Sequence, residues 1–191
     1  MEPSPRFFQE IDPAIVRRCQ QGAVEGFKEL YLFYGKAVRH LALCMLGDLD
    51  EANDLLQDLF LKLYERIKNY RFEAPFAAWF YRMAVNLCQD RLRARSRRHR
   101  HWILWHARNP SPNDWHPPPQ TELLAAEQER NVRQALMEIH PRYRVCLVLR
   151  EIEDCSYEEI AAILNISVGT VRSRLSRGRN HLRRLLLSQK R

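Results

Sequence analysis

Thr170, Arg172, Ser173, Ser176 and Arg177 are the residues of this chain whose types and spacing best suit chemistry on another molecule. Short polar side chains interleaved with arginines are what a helix presents when it enters the major groove of DNA. Each guanidinium offers two parallel donors, a match for the two acceptors on a guanine edge. The five residues sit within SYEEIAAILNISVGTVRSRLSRGR, residues 156–179. The rest of that stretch holds them in place. Ser156 followed three residues later by Glu159 is a capping box, which predicts a helix starting at Tyr157. Ile160, Ala161 and Leu164 form its apolar stripe. Asn165 stands where the chain must break, and asparagine tolerates a left-handed backbone. Ser167 is positioned to cap a second helix whose buried face is Val171, Leu175 and Leu182. A solvated basic helix in an ordinary hairpin is the plainer alternative. Such a face would normally mix in acids, and residues 172–191 hold eight Lys or Arg and no acid.

A second basic block lies at residues 90–108, where seven arginines meet the single Asp90. The two blocks together carry +14 of a net +8, so the remaining chain carries −6. Concentrated charge on a mildly acidic body points to two separate phosphate-binding surfaces. Affinity built on phosphate contacts falls steeply with salt. A membrane-surface role competes for basic helices, but the first block interleaves arginine with aromatics and opposes them to no aliphatic stripe.

Other chemistries find little support. The five cysteines, Cys19, Cys44, Cys88, Cys146 and Cys155, are scattered and odd in number, as expected of reduced buried thiols. His99, His101, His106 and His116 fit no common metal-ligand spacing, so neither metal nor cofactor is expected. There is no nucleophile–base pair and no glycine-rich phosphate loop, which argues against an enzyme. No apolar run is long enough to span a bilayer, and the opening MEPSPRFFQEIDP lacks a signal-peptide core. The expectation is a cytoplasmic protein without direct membrane insertion.

The elements that must carry these blocks are helical. Asp12 and Pro13 start a helix that Gly22 interrupts. A second follows over about 23–46, with Phe27, Leu30, Tyr31 and Tyr34 on one face. Asp48 with Glu51 opens a third, to about Lys68, whose core stripe is Leu56, Leu59, Phe60 and Leu63. Residues 70–75 read as a loop ending at Pro75. A long helix then runs from Phe76 past Arg95, with Trp79, Phe80, Met83 and Leu87 inward. Residues 109–120, NPSPNDWHPPPQ, hold five of the ten prolines and admit no regular element. Helices resume over about 122–139 and from Pro141 to about Glu153. The predicted fold class is all-α, with two small helical domains, a bundle and a helix-turn-helix unit. They span 1–106 and 122–191, joined by a Pro-rich linker over 107–121.

Three fragments together carry a family resemblance: DLLQDLFLKLYERI (54–67), AWFYRMAVNLCQDRLR (78–93) and YRVCLVLREIEDCSYEEIAAILNISVGTVRSRLSRGR (143–179). The chain resembles a bacterial RNA polymerase sigma factor of the sigma-70 family, in its extracytoplasmic-function (ECF) group. The resemblance implies an alternative sigma factor that binds core RNA polymerase and directs initiation at promoters with −10 and −35 elements. The first fragment is similar to the helix that binds the clamp of the polymerase's largest subunits. Its off-stripe residues Asp54, Gln57, Asp58 and Lys62 are the matching candidates. At −10, positions similar to Tyr70, Arg71 and Asn86 hold a flipped base in the family, and Arg91, Arg93 and Arg95 would track phosphates. At −35 the resemblance assigns Arg150, Thr170, Arg172, Ser173, Ser176 and Arg177, with Arg172 and Arg177 placed for guanines and Thr170 and Arg150 for phosphate. Ser176 stands where relatives often carry a bulkier side chain, and Asn165 replaces a common glycine. The loop RFEAPF (71–76) departs from the glycine-containing form, which leaves its base preference open. By analogy an anti-sigma factor, often membrane-tethered, is the expected regulator. Two other classes remain: a two-domain regulator that binds DNA alone, and a basic protein of RNA or membrane surfaces.

Overall fold

Asp12 and Pro13 do start the first helix, the Asp12 carboxylate accepting from the Ala14 amide at 2.8 Å. The computed structural model describes residues 10–108 and 127–188, with side chains described for 10–98, 132 and 134–188. Every regular element among the described residues is helical. Helix α1 (Pro13–Gln20) is followed by α2 (Val24–Leu46) and α3 (Leu49–Arg66). A 3-10 turn (Ile67–Asn69) and the 70–75 loop then lead to α4 (Phe76–Arg108). Gly47 ends α2 with φ +81°, a left-handed backbone that L side chains rarely adopt. Asp48 caps α3 by accepting from the Glu51 amide.

The core of this first half follows from the helical stripes. Leu30, Tyr34, Val38, Leu41 and Met45 of α2 meet Leu55, Leu59 and Leu63 of α3 and Phe80, Tyr81 and Cys88 of α4. Tyr34 is the hub, with its ring centroid 5.1 Å from Phe80 and 5.5 Å from Tyr81. Burying each such large side chain is worth about 1.5–3 kcal/mol. Phe60 and Trp79, expected inward, are only half-buried at the edge of this core.

The second half comprises α5 (Glu127–Glu138), α6 (Pro141–Leu147), α7 (Tyr157–Leu164) and α8 (Val168–Ser188). The single helix expected from Pro141 to Glu153 is in fact α6 running into a π-helical turn (Val148–Ile152). Ile139, Val145, Leu149, Ile160, Ile163, Val171 and Leu175 fill its core. Gly178 lets α8 come close to α6, where a Cβ would sit 3.0 Å from Leu147. All five cysteines are buried and free. Burial pushes the Cys19 and Cys146 thiols up to about 11 and Cys88 to about 12, which keeps them protonated and unreactive. The proline-rich segment and His116 lie outside the described residues, as do the side chains of His99, His101 and His106.

The two halves lie against each other, and polar groups tie the contact. Arg144 is only 4% exposed and pairs with no carboxylate among the described residues. It donates to Met45 O at the end of α2, and to Met137 O and Ile139 O at the end of α5. Helix C-termini carry unsatisfied carbonyls and partial negative charge, so two of them can hold one buried cation. Burial lowers its pKa only to about 10, so it stays charged. Met137 also packs on Gly47, where a Cβ would meet its sulfur at 2.8 Å. Nearby, His40 Nδ1 pairs with Glu153 at 2.8 Å. Bonds to the Cys44 side chain and the Glu153 carboxylate push the His40 ring up to about 10.

Candidate nucleic-acid interface

The helix-turn-helix forms by the local rules its residues suggest. Ser156 Oγ accepts from the Glu159 amide at 3.1 Å, and Glu159 accepts from the Ser156 amide. Asn165 adopts φ 53°, ψ 52° and closes α7 in the left-handed region. Ser167 accepts from the Thr170 amide at 3.2 Å, satisfying one of the open amides at the start of α8. Val171 and Leu175 are buried, which turns Arg172, Ser173, Ser176 and Arg177 outward. Arg172 has no hydrogen bond or ion pair to any described residue. Thr170 is half-buried, its hydroxyl 2.9 Å from Ser167 Oγ, and Ser173 donates to the Thr170 carbonyl. The Tyr143 hydroxyl accepts from Arg142 at 2.7 Å, and the Arg177 and Arg142 guanidiniums beside it lower its pKa. Arg150 is turned back onto its own domain. It donates to Cys155 O at 2.8 Å and lies 5.5 Å from the Tyr157 ring centroid.

A second polar face runs along α4. Arg82, Asn86, Gln89 and Arg93 recur at spacings of four, three and four, so they share one side of the helix. Asn86 is exposed and makes no hydrogen bond to a described residue. Its neighbours are engaged. Arg82 donates to Ala162 O and Ile163 O, the open carbonyls at the end of α7. Arg93 pairs with Asp90 at 2.8 Å. Arg95 is exposed beyond them. Arg91 faces α3 instead of solvent, bonding Asp58 and Glu51 O.

The loop at 70–75 differs from a simple exposed turn. Tyr70 is buried among Phe72, Phe76 and Trp79, and its hydroxyl donates to Ala74 O at 2.6 Å. Arg71 is exposed. The ring the loop shows to solvent is Phe72, 40% exposed, on a left-handed backbone with φ 58°. Phe72 was not singled out by its sequence context, because aromatic type alone does not say which ring turns inward.

On α3, Asp54, Gln57 and Asp58 are exposed and Lys62 is half-buried. The same side exposes Leu61 and Tyr64, at 66% and 64%, which the reading of charged and amide residues overlooked. Helix α2 extends the patch with Tyr31 and Phe27, whose rings pair with Phe60 at 5.3 Å and Tyr64 at 5.4 Å. Apolar residues off the core stripe were the available signal. Among the described residues there is no His, Cys, Asp or Glu cluster suited to a metal. No described helix is long and apolar enough to cross a membrane.

Comparisons with known proteins agree with this division. The family Sigma-70 region 2 matches residues 30–98, and Sigma-70, region 4 matches residues 129–182. The chain is 33% identical over 188 residues to the RNA polymerase sigma-H factor of Pseudomonas aeruginosa, covering 93% of this chain and 95% of that protein. It is 34% identical over 182 residues to the ECF RNA polymerase sigma-E factor of Haemophilus influenzae, covering 90% and 93%. Among solved structures, the sigma factor RpoE in complex with the anti-sigma factor NepR from Bartonella quintana is similar, with a TM-score of 0.63. That match is 27% identical and covers 84% of this chain and 96% of that one. CnrH in complex with the cytosolic domain of CnrY shares the fold, with a TM-score of 0.67 at 24% identity over 93% and 97% of the two chains. The chain therefore belongs to the sigma-70 family, in its ECF group. It is an alternative sigma factor, a promoter-directing subunit of RNA polymerase and not an enzyme.

Proposed function

We propose that this sigma factor divides its work among three surfaces, within domains at 1–106 and 122–191 and a linker at 107–121. The outward face of α8 reads −35, with Arg172 and Arg177 on guanines and Ser173 and Ser176 beside them. Thr170 and Arg150 hold phosphate. The 70–75 loop and α4 read −10. Arg71 and Asn86 hold the displaced base, with Tyr70 as the buried floor of the loop. Arg93 and Arg95 track phosphates, and Arg91 joins them once it leaves Asp58. The patch of Asp54, Gln57, Asp58 and Lys62, widened by Leu61 and Tyr64, docks the polymerase clamp. A mixed acidic and apolar surface gives that contact both steering and buried area.

The observation that carries this reading is Asn86, exposed and without a hydrogen bond to any described residue, at the centre of an arginine-flanked face. An amide there offers a donor and an acceptor to a base edge. Asn86→Ala should reduce promoter opening about 10- to 100-fold, the range of one lost bidentate base contact. Permanganate reactivity of the −10 thymines reads the opening, and core-enzyme affinity should remain unchanged. Loss of polymerase binding instead would remove Asn86 from the DNA-reading face.

An anti-sigma factor completes the scheme. It covers the polymerase-docking patch and the α4 face, is tethered at the membrane, and acts on the sigma factor in the cytoplasm. Similarity to a sigma factor solved with an anti-sigma factor supports this regulator.

A further inference from the structure

The 70–75 loop is held from outside as well as from within. Its entry, its middle and its exit are each gripped by a residue from the first helix or just before it. At the entry, the Gln20 side-chain amide donates to Ile67 O at 3.0 Å and to Tyr70 O at 2.7 Å. In the middle, the Arg17 guanidinium lies over the Phe72 ring, 5.5 Å from its centroid. At the exit, the Glu10 carboxylate accepts from the Phe76 and Ala77 amides, both at 3.2 Å. Those amides open α4, where unsatisfied donors and the helix dipole favour an anion.

These contacts meet a backbone that needs support. Phe72 sits at φ 58°, a conformation that costs a side-chain-bearing residue free energy and persists only where its surroundings enforce it. The restraints available inside the loop are few. The Tyr70 hydroxyl bonds Ala74 O, and the Tyr70 and Phe72 rings are 4.8 Å apart. Arg17 and Gln20 lie three residues apart on α1, so one helix face reaches both Phe72 and the Tyr70 carbonyl.

We infer that α1 positions the −10-reading loop, with Gln20 as the principal positioning residue and Arg17 as the second. The inference rests on the reading of residues 70–75 as the −10 loop. Neither residue needs to touch DNA. Gln20 sets the path of the loop backbone at Tyr70, and Arg17 sets the tilt of the exposed Phe72 ring. The pocket offered to a displaced base then depends on a helix outside it. A pocket accepts one base over another through displacements well under an ångström, so a slack loop loses discrimination before it loses binding.

The test uses the full chain assembled with core polymerase, on a promoter library randomised at both −10 and −35. Gln20→Ala should lower discrimination among bases at the loop-read position about 10-fold, for two hydrogen bonds lost. Gln20→Glu should lower it further, because a carboxylate would face two carbonyl oxygens. Arg17→Ala should lower it about 3-fold, and Arg17→Lys should restore much of it. Preference at −35 and core affinity should stay at the wild-type level in all four variants. A Gln20→Ala and Phe72→Gly double-mutant cycle should show coupling in the −10 preference.

Unchanged −10 preference in a folded Gln20→Ala variant overturns the inference. A parallel fall in −10 preference, −35 preference and core affinity also overturns it, since α1 would then only support the fold. If instead Gln20→Ala is silent while changes at Arg71 and Asn86 alter −10 preference, the loop assignment stands and only the role of α1 fails. If changes at Arg71 and Asn86 are themselves silent at −10, the loop assignment fails and takes the inference with it.

Discussion

The faces on α8 and α4 both carry arginine and small polar side chains, yet the fold treats them differently. On α8 the outward residues are held by their own motif. The Ser156–Glu159 box, left-handed Asn165 and the Ser167 cap fix the helix, and Arg172 is left open to solvent. On α4, Asn86 is open as well, but two of the arginines around it bind other elements. Arg82 reaches α7, Arg91 reaches α3, and the adjoining loop is gripped from α1. Duplex DNA offers its groove edges without opening, so a preformed face can read it. A base taken from a melting duplex must be held outside its stack, by hydrogen bonds to its edge and by stacking. The same bonds bring the two halves together. While Arg82 bonds the end of α7, the second half rests against one end of the α4 face, beside Asn86.

The largest way to disturb this arrangement is at Arg144. Removing it leaves the carbonyls of Met45, Met137 and Ile139 without that donor inside the contact between the halves. Arg144→Ala should lose about 3 kcal/mol of stability, read by chemical denaturation. An unchanged midpoint would mean the halves are held by apolar packing and the other polar ties, Arg82 and the His40–Glu153 pair. Next is Arg172→Ala, which should weaken binding to promoters carrying a −35 guanine about 10-fold while leaving −10 opening once bound intact. A change in −10 base preference would break the separation of the two faces.

Arg82→Ala is a smaller change. It leaves two helix-end carbonyls to water, so the free chain should spend more time with its halves apart. Small-angle scattering should show a larger radius of gyration, with −35 preference unaltered. An unchanged radius would put the closed state on other contacts. The smallest effect expected is with pH. Contact raises the His40 pKa from 6.5 to about 10, so its contribution to closure is full below 6.5 and lost as pH climbs toward 10. His40 is half-exposed, so solvent screens much of the Glu153 pair. Closure, followed by a distance probe across the halves, should weaken slightly over that window. In His40→Ala that slope should disappear, and persistence of the slope would assign it to another group.

Much of this was legible from the residues in order. Capping pairs, apolar spacing and the proline at Pro13 act within one or two helical turns, so helix starts and the α8 face follow from neighbours in the chain. Where the reading fell short, the deciding partner lay far away. Nothing near Arg91 says that it turns to Asp58 on α3. Nothing near Tyr70 says that Trp79, Phe76 and Phe72 enclose its ring. Leu61 and Tyr64 lie off the core stripe, a pattern visible beforehand, but only packing shows them joined to an aromatic seam from α2.

By itself, then, the sequence determined the helices, the two basic blocks, the outward face of α8 and the family. These depend on backbone propensity, charge and short-range hydrogen bonding, which need no knowledge of the fold. The tertiary structure alone decided which polar groups are already in use. Gln20 meets the Tyr70 carbonyl across 50 residues, and His40 meets Glu153 across 113. A donor's partner at such separation is chosen by how helices pack, and that choice leaves the α8 face open and the α4 face assembled.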